Sequence, residues 1–199
     1  HVEKDDEICM DGERVAYEQF VYYLMNKPAG VISATEDTRD RTVLDLLDGQ
    51  QRKGLFPVGR LDRDTEGLLL ITNDGELAHR LLSPKNHVDK VYFARLDGEV
   101  PADAVERFAE GIQVGQDYKA LPAKLEVLSV RDGVSEVHIT LREGKFHQVK
   151  RMLAARGKPV VKLHRCSIGL LELDVTLGPG EFRPMTPIEV ENSLVKLPL

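Results

Sequence analysis

The stretch Gly59-Arg60-Leu61-Asp62-Arg63-Asp64-Thr65-Glu66-Gly67 places three acids and two arginines within seven positions. Carboxylates so spaced can serve as nucleophile, general base or metal ligand, and the arginines can hold phosphate or merely neutralise the acids. The apolar run Leu68-Leu69-Leu70-Ile71 that follows reads as a buried strand, with Gly67 at its start and Asn73-Asp74-Gly75 as the turn after it. The charged loop is thus tied to a rigid element, where reactive groups are best held. Taken alone, such a loop is ordinarily a solvated turn. Its companions further along the chain decide the matter.

One companion is the helix expected from about Phe146 to Arg156, closed by Gly157. Phe146, Val149, Met152 and Leu153 form an apolar stripe at helical spacing, which leaves Lys150 and Arg151 on its flanks. Lys150 lies one turn from His147 and can either snorkel to solvent or turn inward and keep a buried carboxylate ionised. Another companion is Tyr92, in the strand Val91–Leu96, with Val91 and Phe93 pointing to the opposite face. Its ring can pack in the core or stack on a base.

The chain of 199 residues suffices for one substantial core or a core in two lobes, and 42% hydrophobic with 30% charged residues is ordinary for a globular protein. No apolar run approaches the roughly 20 residues that span a bilayer. Cys9 and Cys166 form neither a CxxC pair nor a disulfide framework, and the six histidines show no metal-ligating spacing. These features predict a cytoplasmic, reduced protein without metal. A net charge of −6 argues against a nucleic-acid partner, but residues 142–165 carry eight basic residues against Glu143 alone, while residues 1–20 carry seven acids against two bases. Such a segment can bind phosphates locally or be a solvated helix.

Elements expected around these residues include a strand at Val21–Met25 and a short helix at Val43–Leu47 capped by Thr42, with Asp45 completing the capping box. A helix at Glu76–Leu82 should end at Ser83-Pro84, and another should run from Pro101 to Glu110. Strands near Ala123–Val130 and Glu136–Leu141 flank the turn Arg131-Asp132-Gly133, and short strands alternate with turns to about Val190. Strands outnumber helices and several connections are hairpin-length. The pattern predicts an α+β fold on a mostly antiparallel sheet.

Gly144-Lys145 fails as a P-loop, because Phe146 follows and no glycine stands five residues before Gly144. No G-x-G-x-x-G opens a helix. A magnesium-dependent aspartyl-phosphate phosphotransferase using Asp62 and Asp64 is a weaker fit, because its apolar strand should precede the acids rather than follow them. An RNA-binding protein without activity, using the 142–165 segment, remains a further reading.

Several blocks together resemble the bacterial pseudouridine synthases. They are Gly59–Asp62 through Thr72–Gly75, Lys90-Val91-Tyr92, and Glu143-Gly144-Lys145-Phe146-His147-Gln148-Val149-Lys150-Arg151-Met152. Leu24–Gly30, Leu163-His164-Arg165 and Gly178–Pro184 are similar to the RsuA branch, which modifies a uridine of 16S ribosomal RNA; a sister branch acts on 23S RNA. The resemblance covers about residues 21–190. It implies a pseudouridine synthase fold, with a mainly antiparallel mixed sheet in two sublobes, flanking helices and a cleft between the lobes. It implies Asp62 as nucleophile, Tyr92 stacking on the flipped base and Lys150 pairing with the carboxylate. Arg60 would help displace the nucleotide, and Lys145, His147, Gln148, Arg151, His164 and Arg165 would contact RNA. Asp64 and Thr65 would shape the loop. No cofactor would be required, and the partner would be ribosomal RNA, possibly in a partly assembled small subunit, met by a monomer. Related branches often carry arginine where Lys150 stands; lysine keeps the charge and gives up bidentate geometry. Residues 1–20 would be the tail and linker of an N-terminal S4-type RNA-binding module that the sequence otherwise lacks, and residues 21–199 the catalytic domain.

Overall fold

The computed structural model describes residues 8–10, 13–15, 20–47, 54–116, 118–145, 147–155, 157 and 159–194. The strands are β1 (Ile8–Met10), β2 (Glu13–Val15), β3 (Tyr22–Lys27), β4 (Phe56–Pro57), β5 (Glu66–Thr72), β6 (Lys90–Asp97), β7 (Gln113–Val114) and β8 (Tyr118–Lys119). They continue as β9 (Lys124–Arg131), β10 (Val134–Leu141), β11 (Val160–Ile168), β12 (Leu171–Glu172) and β13 (Phe182–Pro184). The α-helices are α1 (Gly75–Leu82), α2 (Ala104–Glu110), α3 (Gln148–Ala154) and α4 (Pro187–Leu194), joined by 3-10 turns at Val43–Leu46 and Pro84–Asn86. No helix among the described residues is long and apolar enough to cross a membrane.

Nine strands form one sheet in the order β13-β3-β5-β11-β6-β10-β9, with β4 also on β5 and β12 on β11. Every pairing is antiparallel except β5 with β11, which is parallel and only two rungs long, His164 to Glu66 and Arg165 to Gly67. The α+β expectation holds, and this short parallel seam divides the sheet into two halves.

The run at 68–71 is apolar because β5 is covered on both faces. Leu69 and Ile71 enter a core with Met25, Tyr92, Leu96, Phe108, Ile139, Val149 and Met152, on the face carrying α2 and α3. Leu68 and Leu70 enter a second core with Leu24, Leu77 and Leu81, on the face carrying α1. In β10, by contrast, Ser135, Val137, Ile139 and Leu141 are buried while the residues between them are partly exposed, the alternation of a sheet covered on one side.

Local signals explain most boundaries. Asp74 caps α1 by accepting from the Leu77 amide at 3.0 Å. Asp45 accepts from the Thr42 amide at 2.8 Å, so the expected capping box forms, though on a single 3-10 turn. Asp132 and Gly133, at φ 50° and 75°, make the tight turn between β9 and β10. Helix α2 begins three residues later than expected: Pro101 closes a separate turn in which the Ala104 amide donates to its carbonyl. Asp11 and Gly12, and Phe146, Arg156 and Lys158, lie outside the described residues.

Candidate active site

The acidic loop joins β4 to β5 at the seam. Gly67 begins its exit with φ 103°, and a Cβ there would meet the Arg165 carbonyl oxygen at 2.3 Å. Only glycine allows β5 and β11 to approach so closely. Leu61 plugs the loop into the core, and the Ser33 hydroxyl clips its backbone, donating to the Leu61 carbonyl and accepting from its amide at 3.0 Å each. The Gly30 amide donates to the Arg63 carbonyl at 2.8 Å.

The strongest grip comes from a residue that the sequence patterns did not single out. Lys27, at the end of β3, is fully buried. Its ammonium donates to the carbonyls of Thr65 at 2.8 Å, Pro28 at 3.0 Å and Asp62 at 3.1 Å. Burial pulls its pKa from 10.5 down to about 8, against the opposing pull of Asp64, Asp62 and Glu66. The available signal was a lysine closing an apolar strand directly before Pro28.

So held, Asp62 keeps its carboxylate about one quarter exposed, with each oxygen facing a different partner. Lys150 Nζ lies 3.1 Å from Oδ2, and His147 Nε2 lies 3.3 Å from Oδ1. Lys150 also reaches Asp64 Oδ1 at 2.5 Å, and Asp64 is largely exposed. Burial disfavours the Lys150 ammonium, but its bonds to Asp64 and Asp62 outweigh that and its pKa is raised. The Lys150 hydrogen bond draws the Asp64 carboxyl below its usual range, against burial. The place a divalent cation would take between the two acids is filled by this ammonium. Arg63, meanwhile, is turned away to Asp40 at 2.8 Å.

Tyr92 lies across the cleft from this group, only 9% exposed and packed partly in the core. Arg60 stands exposed in the cleft wall, with no ion pair among the described residues. The open space holds about 60 Å³, room for a couple of waters. Lys145 Nζ sits 3.6 Å above the ring of Tyr118 and 3.7 Å from Glu143, and Arg151 approaches the same ring at 5.4 Å.

Three expected RNA contacts are placed otherwise. Gln148 is buried in the cleft floor, donating to Glu143 at 2.5 Å and accepting from the Lys145 amide at 3.0 Å. Arg165 is only 2% exposed, and its Nε donates to the Leu68 carbonyl at 2.9 Å, where pairing between β5 and β11 has ended. So placed, it offers RNA almost no surface. His164, its neighbour on β11, pairs with Phe93 and points to the face opposite Tyr92; burial lowers its pKa. The basic run 142–165 is therefore no single patch. Arg142 pairs with Asp89 and Lys162 with Glu66, each away from the pair at Lys150.

Comparison with known proteins identifies the family that the chain resembles. The model of the family described as RNA pseudouridylate synthase matches residues 21–155. An RNA pseudouridine synthase of Bacillus subtilis, YtzG, is 48% identical over 96% of this chain and 80% of its own length. Ribosomal small subunit pseudouridine synthase A of Escherichia coli is 42% identical over 94% of this chain and 80% of its own. A crystal structure of a pseudouridylate synthase superposes with a TM-score of 0.82 at 39% identity, covering 98% of this chain and 83% of the other.

Proposed function

The chain belongs to the RNA pseudouridylate synthase family, and from that premise we propose that it converts a uridine of 16S ribosomal RNA to pseudouridine with Asp62 as nucleophile. The observation that carries the proposal is the Asp62 carboxylate itself, fixed through its own backbone by Lys27 and flanked by Lys150 and His147 opposite Tyr92. The small-subunit substrate is inferred from the similarity to pseudouridine synthase A.

The isomerisation breaks the N1–C1′ bond of uridine, turns the detached uracil and rejoins it to C1′ through C5. No electrons are gained or lost overall. Asp62 supplies the nucleophilic carboxylate, and Lys150 keeps it anionic as a point charge inside a partly closed cleft. Extracting the base from its stack costs a few kcal/mol. Arg60 would offset that cost by filling the vacated place, and Tyr92 by stacking on the uracil. The cleft must widen to admit the ring, and its exposed wall residues Arg60 and Lys145 can move aside. Lys145, His147 and Arg151 complete the RNA contacts. The catalytic unit is assigned to residues 21–199, working as a cytoplasmic monomer on free or partly assembled small-subunit RNA.

Incubation with a 16S transcript or an assembly intermediate, followed by chemical mapping, should reveal one new pseudouridine. Asp62→Asn should abolish it while RNA binding and the melting transition persist. Product at the wild-type rate from that variant would overturn the assignment.

A further inference from the structure

His147 is the cleft residue whose geometry the roles above use least. Its backbone is left-handed, φ 49° and ψ 31°, at the cap of α3. The other two non-glycine residues with positive φ among the described residues, His87 and Asp132, lie at the end of a 3-10 turn and in a hairpin turn. This costly conformation lets α3 start with Gln148 turned into the floor while His147 brings Nε2 to 3.3 Å from Asp62 Oδ1. The imidazole remains partly open to the cleft.

The reaction also moves a proton. When C5 has bonded to C1′, it still carries its hydrogen. The ring regains its C5–C6 double bond only as that proton leaves and its electron pair enters the ring. N1, which left with the electron pair of the broken glycosidic bond, must finish protonated. A group that accepts at C5 and donates at N1 closes the balance, with no co-reactant.

Few groups facing the cleft can do both. Lys150 is an ammonium with donors only, bound to Asp62 and Asp64. Arg60 and Lys145 are cations too. Glu143 is engaged by the Leu121 amide and Gln148 on one oxygen, with Lys145 near the other. Asp62 is committed as nucleophile, and Tyr92, packed partly in the core, is committed to stacking its ring on the uracil. An imidazole can accept and return a proton near neutral pH. We propose that His147 is a catalytic residue of this reaction, taking the C5 proton of the rejoined base and returning it to N1.

The inference rests on Asp62 being the nucleophile, and its test separates the two. Asparagine and glycine both tolerate the left-handed backbone, so His147→Asn and His147→Gly should fold. Asparagine also keeps an amide donor beside Asp62. With RNA carrying 5-deuterouridine at the target, both variants should lose kcat by on the order of 100-fold with KM changed little. The isotope effect on kcat should rise above that of the wild type, because proton removal then limits the rate. Added imidazole should restore part of the activity of His147→Gly. An Asn variant with near wild-type kcat would overturn the proposal. So would a loss with neither isotope effect nor rescue, which would make His147 a positioning group for Asp62. Asp62→Asn assayed with 5-tritiated RNA should release no tritium; release with product would remove the nucleophile assignment instead.

Discussion

Replacing Lys27 by methionine tests whether a buried cation with no role in the chemistry sets the geometry of the nucleophile. The substitution keeps side-chain length and removes the ammonium that joins the carbonyls of Pro28, Asp62 and Thr65. The Asp62 carbonyl keeps the Thr65 amide at 3.0 Å, so the carbonyls of Pro28 and Thr65 are the ones that lose their donor, each at a cost of about 1–3 kcal/mol. Against this, the fall of the Lys27 pKa from 10.5 to about 8 means that folding disfavours its charged form by roughly 3 kcal/mol, a penalty the variant escapes. The net loss at pH 7.5 should be on the order of 1 kcal/mol. The sign with pH is opposite to that of a salt bridge. Between about 8 and 10.5 the unfolded chain holds the proton and the folded chain does not, so this lysine's contribution to stability rises with pH across that window and is flat below it. Lys90 is also lowered to about 8, first by burial and then by Arg165, but it is present in both proteins and cancels in the difference. Urea unfolding at pH 7.5, 9 and 10 should therefore show wild type gaining on Lys27→Met by up to about 3 kcal/mol as pH rises. Parallel stabilities across those pH values would refute the reasoning. In the same variant, kcat should fall while RNA affinity is retained.

Other substitutions separate the remaining roles. Lys150→Ala should cost activity far more than RNA binding, and equal losses in kcat and affinity would make Lys150 only a phosphate contact. Gly67→Ala should destabilise by about 3 kcal/mol or more, because its Cβ would strike the Arg165 carbonyl in a backbone conformation costly for alanine; a melting temperature within a degree of wild type would contradict this. Arg165→Met should lower stability by about 1–3 kcal/mol by stranding the Leu68 carbonyl. It should leave the salt dependence of RNA binding unchanged, whereas a slope reduced by about one would restore Arg165 as a phosphate contact.

The parts of this fold legible in the sequence are those in which a local pattern and the tertiary environment agree. The Leu68–Ile71 run marked a strand buried on both faces, and the stripe of Val149, Met152 and Leu153 gave α3 its orientation and so put Lys150 beside the acidic loop. Clustering of charge along the chain was a poorer guide. Arg142, Lys150, Lys162 and Arg165 are close in sequence, but the alternation of β11 and the turn into α3 send them to separate sites. The resemblance groups His164 and Arg165 as RNA contacts, but adjacent strand residues must point apart, and β11 sends them to opposite faces. Lys27 was missed for a different reason. Its partners are carbonyls some 35 residues away or across a turn, and no spacing rule connects a lysine to backbone oxygens.

Lys27 and Arg165 solve one problem from two sides. The seam between β5 and β11 has two rungs, so the chain entering it and the strand leaving it expose carbonyls that no ladder satisfies. Lys27 takes that of Thr65 and shares that of Asp62 with the Thr65 amide, and Arg165 takes that of Leu68 just beyond. A fully paired seam would satisfy the same oxygens, but it would also draw the loop into the sheet and close the space in which Asp62 stands. Buried cations let the ladder stop early without stranding its oxygens. The inequality of the two aspartates follows. Asp62 is anchored by its own carbonyl, and its carboxylate divides between Lys150 and His147. Asp64, two residues on, is mostly in solvent and competes for the same ammonium. Removing that competition by Asp64→Asn should leave Lys150 to Asp62 alone and preserve activity, whereas Asp62→Asn should not.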